Sequence, residues 1–434
     1  MQLNSDQKGK IGEKFIHDMA YQSFLKYWCY PNPKDEKGDK KEICDLLILF
    51  KDTLIIICVK NLEFKGNYDR YFRKSIEKDI KQVYGAERKL TNKEIETFIK
   101  HPDREIEKIN KKSINKIIRL VVHLGDDIQF YPIFDLSKNQ EFVNIFDKDT
   151  FFTLVSELDT IPDFIDYLEK REQIFQKTDA IILPKEEYDF DEETALQFFD
   201  YDSQKPSPAD KKHILISGSE CDLLAYYLMN NRQFIEHLSS KELNSLSLQI
   251  DGKWKEFIKN KQLLAKKNLD KVSYFIDEFV RKEILACQNP KSVRMAQELL
   301  SFNRFERRII SKSFFEFYDR YKDSHGYKIG RRFGEVNGVG IVFIFYSSDM
   351  KEEHVNQSLS LAMDSFCIYN GYKNNKMILI ATTNNLSQFK YGLVENIVPF
   401  DRVTEKAIME DAKQLGWFTQ LQYINWHEKE YPDC

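Results

Sequence analysis

Residues 43–60 read ICDLLILFKDTLIIICVK, and this stretch decides the N-terminal fold. Two apolar runs, Ile43–Phe50 and Leu54–Lys60, are parted by a polar turn at Lys51–Thr53. Short, near-continuous apolar runs around a turn read as a hairpin buried on both faces. Two charges interrupt the pattern, Asp45 early in the first run and Lys60 at the end of the second. Side chains alternate along a strand, so Cys58 and Lys60 point to the same side. An ionised group left unpaired in apolar surroundings is costly. The economical expectation is that Asp45 and Lys60 meet at the open end of the hairpin.

Working outward, Ile11, Phe15, Ile16, Met19, Phe24 and Leu25 recur at helical spacing, which predicts an amphipathic helix over residues 7–27. Trp28–Pro31 reads as a short strand, followed by a charged loop at 34–42. Residues 69–89 predict a basic helix, and Lys116–Gly125 (KIIRLVVHLG) a further buried strand. The order up to Gly125 is α-β-β-β-α-β. Phe151–Phe175 reads as helix broken near Pro162. SQKPSPADKK, at 203–212, marks a turn-rich border. Residues 219–322 are nearly free of Gly and Pro and read as packed helices. Val339–Tyr346, Lys351–Asn370 and Met377–Thr382 form a βαβ unit, followed by a helix at Glu405–Leu415. The expected fold class is therefore α/β. Its expected divisions are an N-terminal domain over 1–175, a linker over 176–210, a helical region over 211–325 and a small C-terminal α/β region over 326–434.

Composition excludes several classes. Hydrophobic residues make up 42% and aromatics 14% of the 434 residues, too apolar for a disordered chain. The longest apolar runs, Leu54–Val59 and Val339–Tyr346, fall well short of the roughly 20 residues of a membrane span, so no membrane association is expected. The opening residues, MQLNSDQKGKIGEKF, contain no apolar region of the secretory kind. The seven Cys are scattered without CxxC or zinc-type spacing, which suggests reduced thiols and a cytoplasmic protein. Net charge is only −4, but residues 60–119 hold 17 Lys and Arg against 10 Asp and Glu, a local excess that suits a polyanion.

The order of the charged positions is the most informative feature. Glu13 lies on the first helix, Asp45 on the first hairpin strand, Cys58-Val59-Lys60 at the end of the second, and Gln82 (in KQVYGAER) on the next helix. This order resembles the PD-(D/E)XK, or restriction-endonuclease-like, nucleases, and the α-β-β-β-α-β order agrees with their core. The resemblance covers about the first 130 residues. It implies Mg²⁺ (or Mn²⁺) held by Asp45 and Glu13 with help from the Val59 carbonyl, and Lys60 acting on the attacked phosphate and water. Cys58 occupies the position where the family has an acid, and a thiol is a poor ligand for a hard cation. Cys58 and Gln82 are therefore expected beside the site. The stretch ELDTIPDFIDYLEKR, at 157–171, further resembles prokaryotic nuclease-like proteins suspected of phage defence.

On the basic helix, Arg70, Arg73, Lys74, Lys78 and Lys81 fall mostly at i, i+3/i+4 spacing, which gathers positive charge along one side for DNA phosphates. Tyr68, Tyr71 and Tyr84 are candidate polar or stacking contacts. GRRFGEVNGVG, at 330–340, precedes a strand and reads as a turn, not a phosphate loop. His123 reads as a packed strand residue. The expected function is a metal-dependent DNA endonuclease serving as an antiviral effector, with the C-terminal half binding a partner protein or a second copy. The alternatives are an inactive nuclease-fold module that binds DNA, and a nucleotide-binding regulator built on the C-terminal βαβ unit.

Overall fold

The computed structural model describes residues 14, 18–19, 23–125, 128, 130–137, 141–176, 178–183, 192–203, 212–234, 245–287, 289–386, 388–419, 421 and 428–432. The chain is mixed α/β and divides into two compact units, Met1–Asn260 and Lys261–Cys434. Among the described residues no helix is long and apolar enough to cross a membrane.

The first unit runs β1 (Cys29–Pro31), β2 (Leu46–Phe50), β3 (Thr53–Lys60), α1 (Tyr68–Lys74), α2 (Ile76–Thr91), β4 (Phe98–Lys100), β5 (Ile106–Lys108), β6 (Lys116–His123), β7 (Phe134–Leu136), β8 (Phe142–Asp147), α3 (Lys148–Leu158), α4 (Ile161–Phe175), β9 (Thr178–Leu183), α5 (Glu192–Ser203), β10 (Lys212–Ser217), α6 (Glu220–Met229), β11 (Ser245–Gln249) and α7 (Lys253–Ile258). Its main sheet has the order β1-β2-β3-β6-β8-β7. The first three strands are antiparallel, β3, β6 and β8 are parallel, and β7 closes the far edge antiparallel.

The expected hairpin forms as β2–β3, with Phe50 paired to Thr53 across a tight turn in which Lys51 takes a left-handed φ of 54°. On one face of β3, Leu54, Ile56 and Cys58 share a core with Tyr68, Phe72, Ile76, Ile80 and Val83 from α1 and α2. The strand alternates and α2 presents a buried stripe, so the two periodicities meet on this face. The expected helix over 69–89 is two helices, separated at Ser75 (φ −109°, ψ −87°). Of the expected first helix, Lys14, Asp18 and Met19 are helical, residues 24–28 are turns, and most of the rest, Glu13 included, lies outside the described residues.

The compact units do not follow the expected divisions. Strands β9, β10 and β11 form a parallel sheet of order β11-β10-β9, so strands stand in the segments expected to be linker and helical region. Their runs are short and half-exposed, and Ser245–Gln249 (SLSLQ) alternates polar and apolar. The stretch at 157–171 has a structural role. Asp159 adopts a left-handed φ of 48° after α3, Thr160 caps α4, and Pro162 sits in its first turn, where a missing N–H costs nothing. Arg171, fully buried, then binds Glu220 of α6 through Nε at 2.6 Å and Nη2 at 3.0 Å, and also Asn144 of β8 and the Ile133 carbonyl.

The second unit runs α8 (Lys261–Asp270), α9 (Tyr274–Phe279), α10 (Pro290–Leu300), α11 (Arg304–Tyr321), β12 (Ile329–Val336), β13 (Val339–Tyr346), α12 (Glu352–Tyr369), β14 (Lys376–Thr382), β15 (Phe389–Glu395) and α13 (Arg402–Gln414). Its sheet has the order β12-β13-β14-β15, with β13 and β14 parallel as the expected βαβ unit requires. The Gly-rich stretch at 330–340 supplies β12 and the hairpin turn, where Asn337 and Gly338 take φ values of 48° and 74°. Positive φ at both central residues is the Asn-Gly hairpin signature.

Candidate active site

The site lies where β2 enters and β3 leaves the sheet. Leu46 pairs with Ile57, and continuing that register by one residue brings Asp45 opposite Cys58. The half-buried Asp45 carboxylate accepts a hydrogen bond from the Val59 N–H at 2.7 Å, so it ties off the strand end and is held in one orientation. Lys60, the last residue of β3, pairs with His123 of β6, and its carbonyl accepts from the Leu124 N–H at 2.8 Å. Its half-buried ammonium has no hydrogen bond or ion pair among the described residues. Asp45 and Lys60 thus stand at one sheet end with no ion pair between them, and the Asp45 carboxylate engages the Val59 N–H.

The sequence reading missed Asp79. It stands on α2 in a stripe with Ile76, Ile80 and Val83, and is 1% exposed. Its Oδ2 has no hydrogen-bond partner among the described residues. Burial pushes its carboxyl up to about 7, opposed by the positive Lys60, reinforced by the negative Asp45 and opposed again by Lys78. Asp79 therefore belongs to the same electrostatic neighbourhood as Asp45 and Lys60. The signal was present: an acid at i+3 from Ile76 and i−4 from Val83 lies on the apolar side of an amphipathic helix.

Cys58 is fully buried, and burial, reinforced by Cys44, Asp45 and Asp79, holds its thiol well above its ordinary value. It is a protonated core residue, sharing its face with Leu54 and Ile56. Gln82 is exposed on α2, outside the buried stripe. His123 is fully buried, with Tyr71 Oη 3.5 Å from Nδ1 and no partner for Nε2 among the described residues. Burial drives its pKa down to about 4, so the ring is neutral near pH 7.

Arg70, Arg73, Lys74, Lys78 and Lys81 are all exposed, divided between α1 and α2 by the break at Ser75. Arg73 is paired with Asp69 at 2.7 Å. Tyr68 and Tyr71 are buried in an aromatic cluster with Phe64 and Phe72, so the expectation that they contact a polyanion is corrected. The spacing that places a tyrosine on a helix does not say which face it takes, and here the apolar ring decides.

Among the described residues, no three His, Cys, Asp or Glu side chains are grouped to hold a metal ion. A site for a hard cation here would rest on two carboxylates, main-chain oxygen and water. That donor set suits Mg²⁺, which keeps several waters and takes one or two carboxylates. The unsatisfied Asp79 Oδ2 is a buried oxygen of the right kind.

No family model matches the chain, and no curated protein matches it. A solved structure described as "Crystal structure of SSO0001" is 10% identical, with a TM-score of 0.15, over 36% of this chain and 77% of that one. A likeness this slight carries no argument about fold or function.

Proposed function

We propose that the first unit is a restriction-endonuclease-like domain that hydrolyses DNA phosphodiester bonds with a bound Mg²⁺ or Mn²⁺, as the effector of a prokaryotic antiviral system. The observation that carries this reading is the placement of Asp45 and Lys60 at one sheet end. There an antiparallel hairpin passes through two helices and the small β4–β5 hairpin to a strand parallel with β3. The bound ion would supply an activated water and neutralise charge on the phosphate. Asp45, oriented by the Val59 N–H, is the carboxylate positioned to hold it. Glu13 and the Val59 carbonyl are the other oxygen donors that the resemblance implies. Lys60, free of ion pairs among the described residues, is suited to bind the scissile phosphate and offset its developing charge. Arg70, Lys74, Lys78 and Lys81 are exposed cations for the flanking backbone.

Incubation of the purified chain with supercoiled and linear DNA, in Mg²⁺, Mn²⁺ or EDTA, tests the reading. Cleavage that requires the divalent ion and is lost in Asp45→Asn is the expected result. A second reading, an inactive module that binds DNA, is favoured by one observation: the buried, protonated Cys58 stands where the family has an acid. Salt-sensitive DNA binding with no cleavage in either ion would support that reading instead.

A further inference from the structure

We infer that Asp79 supplies a carboxylate to the metal site beside Asp45, reaching it from helix α2 in place of the acid that strand β3 lacks. The inference rests on the proposed nuclease reading and names a residue that the sequence pattern does not supply. Three observations carry it.

The first is the vacancy in the pattern. Asp45 stands opposite Cys58, and that thiol is buried among Cys44, Leu54 and Ile56, where it is neutral and soft. A hard cation at Asp45 gains nothing from it. The second is the location of Asp79. α2 packs on the same face of β3, through Ile76, Ile80 and Val83, and Asp79 is the acid within that buried stripe. Asp45 and Lys60 both act on Asp79, and both Asp45 and Asp79 act on Cys58, so the carboxylates, the ammonium and the thiol form one neighbourhood.

The third is that the fold gives the Asp79 carboxylate too little to do. Its Oδ2 is buried and lacks a hydrogen-bond partner among the described residues, and the core residues beside it on the stripe are apolar. Its place in the first turn of α2 offers some helix-dipole stabilisation, but Glu77 occupies the same turn and is less buried. A buried carboxylate with an idle oxygen, in the electrostatic neighbourhood of a second carboxylate, is the arrangement a divalent cation satisfies. Hard oxygen ligands can come from a helix as well as from a strand, provided they reach the same point.

Titration of Mn²⁺ into the full chain, followed by the electron paramagnetic resonance of free Mn²⁺ and by metal-induced thermal stabilisation, tests the inference without relying on turnover. Wild type and Cys58→Ala are expected to bind alike. Asp79→Asn, which keeps the shape and removes a buried charge, should bind at least tenfold more weakly, and Asp79→Ala should do the same. The double variant Cys58→Asp/Asp79→Asn moves the carboxylate to the strand and should recover part of the loss. Circular dichroism confirms that each variant is folded. If Asp79→Asn and Asp79→Ala bind Mn²⁺ as tightly as wild type while Asp45→Asn does not, the inference is overturned and the proposed function stands. If wild type neither binds Mn²⁺ nor cleaves DNA, both fall.

Discussion

The two units contain the same local piece of architecture. In the first, the antiparallel hairpin β2–β3 passes through α1, α2 and the inserted β4–β5 hairpin to β6, parallel with β3. In the second, the hairpin β12–β13 passes through α12 to β14, parallel with β13. The strand ends differ. β3 ends in Cys58-Val59-Lys60, with Asp45 and Asp79 close by. β13 ends in Phe345-Tyr346 and is followed by the buried Ser347, whose Oγ accepts from the Lys328 N–H at 2.9 Å. The neighbouring end of β14 carries the buried, uncharged Thr382 and Thr383. One end gathers charges with no mutual ion pairs, and the other is closed by neutral groups. The scaffold is common to many chemistries, so the chemistry has to be argued from the residues at the strand end.

The largest expected effect breaks or upholds that contrast directly. Lys60→Ala and Asp45→Asn should each lower DNA cleavage by roughly 10²–10⁴-fold, the usual cost of losing a positioned catalytic group. Ser347→Ala and Thr382→Val, at the corresponding end of the second unit, should leave cleavage within about twofold. Rate measurements on the four variants decide, and an equal loss at Ser347 would remove the distinction.

Buried charge in the first unit also has a stability consequence. Glu220→Ala leaves Arg171 buried without its carboxylate and should cost about 3–5 kcal/mol in urea unfolding. Lys390→Ala, which removes an exposed pair with Glu352 in the second unit, should cost no more than about 1 kcal/mol. The double replacement Arg171→Met/Glu220→Leu should recover much of the first loss.

A smaller effect follows from His101. It is 1% exposed, its Nδ1 accepts from the Asp103 N–H at 3.1 Å, and its Nε2 lies 3.1 Å from the Lys26 carbonyl. Burial, assisted by Arg104, holds its pKa down to about 4, against an ordinary 6.5. The unfolded chain therefore takes up a proton at higher pH than the folded one. Stability from this group is complete above pH 6.5 and falls as pH drops toward 4, by at most about 3 kcal/mol. His101→Gln should flatten that slope in urea melts at stepped pH.

The smallest effect concerns DNA affinity. Lys74→Ala and Lys81→Ala should each reduce the salt dependence of binding by about one unit of slope. Arg73→Ala should do less, since Asp69 already holds that guanidinium. An unchanged slope would make α1 and α2 an ordinary solvated surface.

The basic helices and the C-terminal βαβ unit were legible in the sequence as periodic or apolar runs bounded by turn residues, and the hairpin as two apolar runs on either side of a polar turn. Strands β9, β10 and β11 were not, since each is only five or six residues and their pairing partners lie far apart in sequence. The break at Ser75 carries no Gly or Pro to announce it. In the site, Asp45 and Lys60 stood out because a charge inside an apolar run must have a reason. Asp79 was hidden in EKDIKQ, where a charged neighbourhood on a helix looks like surface, and only the helical phase against Ile76, Ile80 and Val83 distinguishes it. The fate of Cys58 was half legible: the thiol was visible, and its complete burial was not.

The most direct test of the strand-end account is Lys60→Ala examined by two readouts in parallel, single-turnover cleavage of plasmid DNA and Mn²⁺ binding. The account predicts that wild type cleaves only with the divalent ion, and that Lys60→Ala binds Mn²⁺ about as well while cleaving at least 10²-fold more slowly. Cleavage by Lys60→Ala at the wild-type rate, or no cleavage by wild type in either Mg²⁺ or Mn²⁺, would contradict it.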